Sequence, residues 1–202
     1  MKKAVFFDMN ETLLNLSLLK KQFDKHFDDK YILKYWFTKL LHSSTIMGIM
    51  GDYRNFGELA GVALENLFFE NNKSLSSEVK AEILGEFKKL PAYEDVRPAL
   101  CVLRNNGIRV IAVSNSSLEM INEQLTNAGI IDLFDAYYSA DNVGNYKPFK
   151  DIYLSAAQQE GLQTENIVMV ATHDWDLFGA KKAGLSTAYI KRKEEIYHPY
   201  YL

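Results

Sequence analysis

Near the start of the chain the sequence runs Lys3-Ala4-Val5-Phe6-Phe7-Asp8-Met9-Asn10-Glu11-Thr12-Leu13-Leu14. An unbroken apolar run with Val and two Phe, cut off by Asp8, Asn10 and Thr12, predicts a short buried strand that ends in a polar loop. Two later stretches repeat the pattern. Ile108 to Val113 follows Asn105, Asn106 and Gly107 and ends at Ser114, Asn115, Ser116 and Ser117. Ile167 to Val170 ends at Ala171, Thr172, His173 and Asp174. Each apolar run therefore delivers polar side chains just past its carboxyl end.

Helical patterns alternate with these runs: Ser117 to Ala128, with Leu118, Ile121 and Leu125 on one face, then Lys150 to Glu160, then Trp175 to Ala183. Alternation of this kind predicts an α/β fold, a doubly wound parallel sheet whose ligands bind beyond the carboxyl ends of the strands. The segment from Ser17 to Lys89 has a helical period and no parallel strand. Tyr35, Trp36, Leu40 and Leu41 mark one helix, Phe56 to Leu67 another and Val79 to Phe87 a third. It is expected to be an inserted helical cap domain of residues 17–90 over a core of residues 1–16 and 91–202, with Tyr35, Trp36 and Phe37 in the cap interior.

Composition fits a compact folded chain: of 202 residues 48% are hydrophobic and 24% charged, with a formal net charge of -3. No basic stripe is present to neutralise a phosphate backbone, which argues against nucleic acid and for a small-molecule substrate. No run approaches the ~20 apolar residues of a membrane span, and the apolar stretch before Asp8 is too short for a signal peptide, so no membrane role and a cytoplasmic location are expected. The single cysteine, Cys101, lies in the apolar run Ala99 to Leu103 and is expected to be a buried thiol. The run Lys191 to Glu195 reads as a solvated strand end.

A carboxylate just past a strand can attack an electrophilic carbon or phosphorus and form an ester, dividing one hard displacement into two easier steps. Asp8 is placed for this, and Lys147, Thr12, Ser114 and Asn115 supply the ammonium, hydroxyl and amide groups that orient such a nucleophile and bind an anion. The phrase around Asp8 resembles the first motif of the haloacid dehalogenase-like superfamily. Ser114-Asn115 looks like its second motif, Lys147-Pro148 like its third, and Asp176 in Trp175-Asp176-Leu177-Phe178-Gly179-Ala180 like its fourth. Four motifs in order, spread over essentially the whole chain, make a specific signal.

Phosphatase members of that superfamily carry an acid two residues after the nucleophile, because an alkoxide leaving group needs a proton. Here that position is Asn10, and the Gly-Asp pair that normally precedes the fourth-motif Asp is replaced by Ala171-Thr172. Both departures resemble the type II 2-haloacid dehalogenases, as do Ser114-Asn115, Tyr153 six residues after Lys147, and the pair Trp175-Asp176. The resemblance implies a metal-free reaction in which Asp8 displaces halide from a short 2-haloacid and water then cleaves the Asp8 ester, with Asp176 orienting Lys147 and helping to position the water. It also implies a homodimer. Asn10, Thr12, Asn115, Tyr153, His173 and Phe37 are the expected substrate contacts. If Mg²⁺ were used instead, Asp8, Asn10 and Asp176 would be its ligands, and a phosphatase is the alternative reaction. A binding or regulatory module that has lost turnover is the alternative of another class. Two positions depart from the dehalogenase pattern. The Arg that follows a cap Trp in that branch is matched by Phe37 after Trp36, so that Arg54, Lys39 or His42 would have to supply the cation, and His173 stands where those enzymes have Asn.

Overall fold

The computed structural model describes residues 2 to 201. Strands β1 (Ala4–Phe7), β2 (Arg109–Ser114), β3 (Ala136–Ser139), β4 (Ile167–Ala171) and β5 (Ser186–Tyr189) form one sheet in the order β3-β2-β1-β4-β5, with every pairing parallel. β1 is central and wholly buried, which explains why it carries no polar residue. Its last residue, Phe7, lies opposite Ala112 of β2 and Val170 of β4. Asp8, Ser114 and Thr172 therefore leave the sheet along one edge, and the switch in strand order on either side of β1 opens a crevice there.

The sheet is covered by α5 (Val96–Asn105), α6 (Leu118–Asn127), α7 (Lys150–Gln159) and α8 (Asp174–Lys182). α6 starts at Ser117, whose hydroxyl accepts from the Met120 N–H and satisfies one of the free donors of the first turn. Between β1 and α5 lie α1 (Ser17–Asp24), α2 (Ile32–Met50), α3 (Phe56–Glu70) and α4 (Ser77–Gly85). Their interior is built on Trp36, which is fully buried among the rings of Phe23, Phe37 and Phe87 and whose indole N–H donates to the Ala60 carbonyl at 3.2 Å. The chain that leaves the sheet for these helices and the chain that returns from them are hydrogen-bonded to each other, Asn15 N–H to the Pro91 carbonyl at 2.8 Å and Tyr93 N–H to that of Leu13 at 3.0 Å.

The parallel α/β reading holds, but three of the sequence-level expectations need correction. β3 and β5 are additional strands. Both are short edge strands with half-exposed side chains, so neither carries the continuous apolar run that marks β1, β2 and β4. Cys101 is half-buried rather than buried, because α5 lies on the outer face of the sheet and only part of its apolar run turns inward. Tyr35 is 45% exposed and belongs to the outer face of α2, next to the buried Trp36.

α8 crosses close to the segment that carries Lys147. Gly179 makes this possible, since a Cβ there would collide with the ring and backbone of Pro148. Gly179→Ala is expected to lower stability by about 1–3 kcal/mol through overpacking, read as a fall in the urea midpoint.

Candidate active site

The residues at the carboxyl edge of the sheet converge on Asp8, whose backbone N–H is fixed by the Val170 carbonyl at 3.0 Å. The Lys147 ammonium donates to Asp8 Oδ1 and to Asp176 Oδ2, each at 2.6 Å. All three side chains are at least nine-tenths buried. Lys147 is held from behind: its backbone N–H donates to Asn115 Oδ1 at 2.8 Å. Tyr153, on α7, donates its hydroxyl to Asp176 Oδ1, so both oxygens of Asp176 are occupied. The second oxygen of Asp8 also has two partners. The Thr12 hydroxyl donates to Oδ2 at 2.7 Å and in turn accepts from the Thr172 N–H at 3.0 Å. His173 Nδ1 lies 2.9 Å from the same oxygen.

His173 is itself bridged. Its Nε2 is 2.9 Å from Glu11 Oε2, and Lys193 pairs with the other oxygen of Glu11. Glu11 sits at φ 63°, a left-handed conformation that costs a non-glycine residue on the order of 1 kcal/mol or more. The result is a line of alternating charge from Asp176 through Lys147, Asp8, His173 and Glu11 to Lys193.

Burial would raise the pKa of Asp8, but Lys147 and then His173 outweigh it and hold the carboxyl well below the usual range. For Lys147 burial pulls downward, and Asp176 and Asp8 together reverse it, so the ammonium stays charged. Burial pushes Asp176 upward against Lys147. Burial also pushes the Tyr153 phenol well up, keeping it a hydrogen-bond donor. His173 is the unusual group: burial would lower its pKa, yet the hydrogen bonds to Asp8 and Glu11 lift it to about 9. It is an imidazolium at neutral pH, and both ring nitrogens donate.

These donors do not fit Mg²⁺. The space between Asp8 and Asp176 already holds the Lys147 ammonium, Asp176 is capped by Tyr153, and Asn10 Oδ1 accepts from Gln124 at 3.1 Å. Among the described residues no group of three His, Cys, Asp or Glu side chains gathers as a metal site would. Asp174, whose oxygens accept from the N–H groups of Trp175 and His198, is also engaged elsewhere.

The expected site residues come together: Asp8, Asn10, Phe37, Ser114, Asn115, Lys147 and His173 line one small cavity with Leu41, Phe56 and Trp175. Ser114 faces it while its hydroxyl accepts from the Ser116 N–H at 3.1 Å. Thr12 and Tyr153 act one step behind, on Asp8 and Asp176. None of the three residues considered as a substitute cation lines this cavity. Lys39 pairs with Glu70, Arg54 pairs with Asp52 at 3.4 Å, and His42 is exposed. Glu11 and Lys193 are the residues that sequence reasoning missed. The run from Lys191 to Glu195 is not merely solvated: Arg192 donates to the Thr12 carbonyl at 3.0 Å and Lys193 reaches Glu11.

Fold and site together define a hydrolase, and the chain belongs to the haloacid dehalogenase-like hydrolases, whose family model matches residues 2–184. Haloacetate dehalogenase H-2 of Moraxella sp. (strain B) is 30% identical over 192 residues, which is 94% of this chain and 86% of that protein. The (S)-2-haloacid dehalogenase of Pseudomonas sp. (strain YL) is 27% identical over 96% of this chain and 85% of its own length. Among solved structures, the L-2-haloacid dehalogenase from Xanthobacter autotrophicus with chloropropionic acid covalently bound superposes with a TM-score of 0.89 at 26% identity, covering 96% of this chain and 80% of that one. No helix of the described residues is long and apolar enough to cross a membrane.

Two measurements check the electrostatics. Lys147→Met leaves two buried carboxylates facing each other and should cost about 3–5 kcal/mol at neutral pH. Part of that loss should return as the pH is lowered and one carboxyl takes a proton. His173 has a raised pKa, so its stabilising contribution is complete below its ordinary value of 6.5 and lost as pH rises through about 9. Urea midpoints should fall across that window in the parent and much less in His173→Asn.

Proposed function

We propose that this hydrolase cleaves the carbon–halogen bond of short 2-haloacids through an ester on Asp8, without a metal. The observation that carries the reading is the bridge from Asp8 through Lys147 to Asp176 beside an Asn10 that has no acidic proton to give. A halide departs unprotonated, whereas an alkoxide needs an acid. The reading agrees with the names of the relatives. The fully satisfied charge network also favours an enzyme over a module that has lost turnover.

A carboxylate has about four lone-pair sites, two on each oxygen. Oδ2 of Asp8 uses both for Thr12 and His173, while Oδ1 uses one for Lys147. Oδ1 therefore keeps an electron pair for attack on the halogen-bearing carbon. The new carbon–oxygen bond forms as the carbon–halogen bond breaks, and halide leaves with the bonding pair.

In the second half-reaction water attacks Cγ of the Asp8 ester, and charge gathers on Oδ2. The Thr12 hydroxyl and the His173 imidazolium already point at that oxygen, so they act as an oxyanion hole that needs no rearrangement. One proton of the water is lost to solvent and the other passes to the departing Oδ1 as the bond from Cγ to Oδ1 breaks, which releases the 2-hydroxyacid and restores Asp8 with one oxygen from the water, while the buried Asp176 keeps Lys147 in place. Glu11 keeps His173 charged while Asp8 is esterified and neutral.

Residues 17–90 form the cap in this reading, hinged at the paired segments 13–15 and 91–93, over the core of residues 1–16 and 91–202. The cap has to open for entry, because the cavity at Asp8 has a volume of about 20 Å³, room for roughly one water.

Purified protein should release bromide from L-2-bromopropionate with or without EDTA, and Asp8→Asn should release none. Release that depends on added Mg²⁺, or its absence in the parent, sinks the reading. His173→Phe should still alkylate Asp8 but hydrolyse the ester about 100-fold more slowly, so that intact-protein mass spectrometry finds the adduct. Turnover in the parent should fall with rising pH, starting below the value of about 9 that His173 has beside an ionised Asp8, because the ester removes that charge.

A further inference from the structure

The cavity at Asp8 offers no cation to a substrate carboxylate. Lys147 is fixed between Asp8 and Asp176, His173 between Asp8 and Glu11, and Phe37, Leu41 and Phe56 are apolar. A second cavity of about 340 Å³ adjoins it, and Phe37, Leu41, His173 and Trp175 line both. The second cavity is walled by Lys20, Lys30, Lys34 and Lys193 against Glu11 and Glu195. Asp24 pairs with Lys20 at 2.6 Å, so in a chain of net charge -3 the four lysines and three carboxylates leave one net positive charge, that of Lys30, at a concave wall where the field is focused.

The lysines differ in availability. Lys193 is committed to Glu11, and Lys20 to both oxygens of Asp24. Lys34 pairs with Glu195 at 2.6 Å with more than half of its side chain exposed, a surface pair that exchanges readily for another carboxylate. Lys30 lies 4.8 Å from the Tyr31 ring centre and has no ion pair among the described residues.

We propose that this outer cavity is a binding site for small aliphatic monocarboxylates and halide, and the route by which anionic substrate reaches Asp8 and halide leaves. Lys30 and Lys34 hold the anion. A wall of Phe37, His173 and Trp175, with successive ring centres 6.1 and 5.2 Å apart, separates it from the nucleophile. The route serves the dehalogenase reading above, while the anion site can be tested without turnover.

Trp36 is fully buried, so Trp175, which lines both cavities, reports collisional quenching. Iodide should quench the parent several-fold more strongly than Lys30→Glu/Lys34→Glu, propionate should protect against iodide, and neutral acrylamide should quench the two proteins alike. Both lysines are exposed, so the double variant should fold, and Lys30→Gln gives a milder version of the same loss. With L-2-bromopropionate the double variant should lose about ten-fold in kcat/KM at low ionic strength, and the difference should vanish at high ionic strength. Equal iodide quenching in parent and double variant, or no protection by propionate, overturns the site. Lysine-dependent anion binding without dehalogenation would leave the site standing and remove the reaction. Dehalogenation indifferent to both lysines would do the reverse.

Discussion

Burying Asp8 and Asp176 near each other would cost several kcal/mol in desolvation and repulsion if nothing lay between them. The Lys147 ammonium lies there, and much of the local architecture is arranged to keep it in place. The N–H of Lys147 is anchored on Asn115, from the loop after β2. The segment behind it is pressed against α8 at Gly179, and Tyr153 of α7 closes the far side of Asp176. The ion pair thus joins the loops after β1 and β2, the segment before α7, and α8 itself. Removing one charge would unbalance all of them.

A second cation, His173, approaches Asp8 from the opposite side and, with Thr12, gives Oδ2 of the carboxylate a full set of donors. The chain supports it with a strained backbone at Glu11, and strain of that kind persists only where the surroundings fix it. Phe37, which stands where the resembled dehalogenases carry an arginine, packs 6.1 Å from the His173 ring. Charge in this cavity therefore comes from the core rather than from the helices above it.

Much of this was legible in the sequence. The apolar runs of β1, β2 and β4 announce a buried parallel sheet, and the polar residues that end them are the ones that meet at Asp8. β3 and β5 were not legible, because an edge strand of four residues with one face in water has no distinctive run. Cys101 and Tyr35 were misjudged for a related reason: a helix with one buried stripe leaves some apolar residues outside, and a short run does not say which. Glu11 and Lys193 meet only through the fold, and a glutamate in a polar loop carries no sign that its backbone is left-handed. Aligned against the dehalogenase pattern, His173 stands out as a cation where an amide was expected, and a search for its counter-ion in the first loop could have found Glu11.

The hydrogen bonds joining residues 13–15 to residues 91–93 carry a consequence for descent. A long stretch of chain leaves and rejoins the sheet at one point, so its length and sequence can change without disturbing strand register or the ion pair beneath. The sheet with its loops and the inserted stretch are therefore free to diverge at different rates. A change within that stretch can leave the ion pair of Asp8, Lys147 and Asp176 as it is.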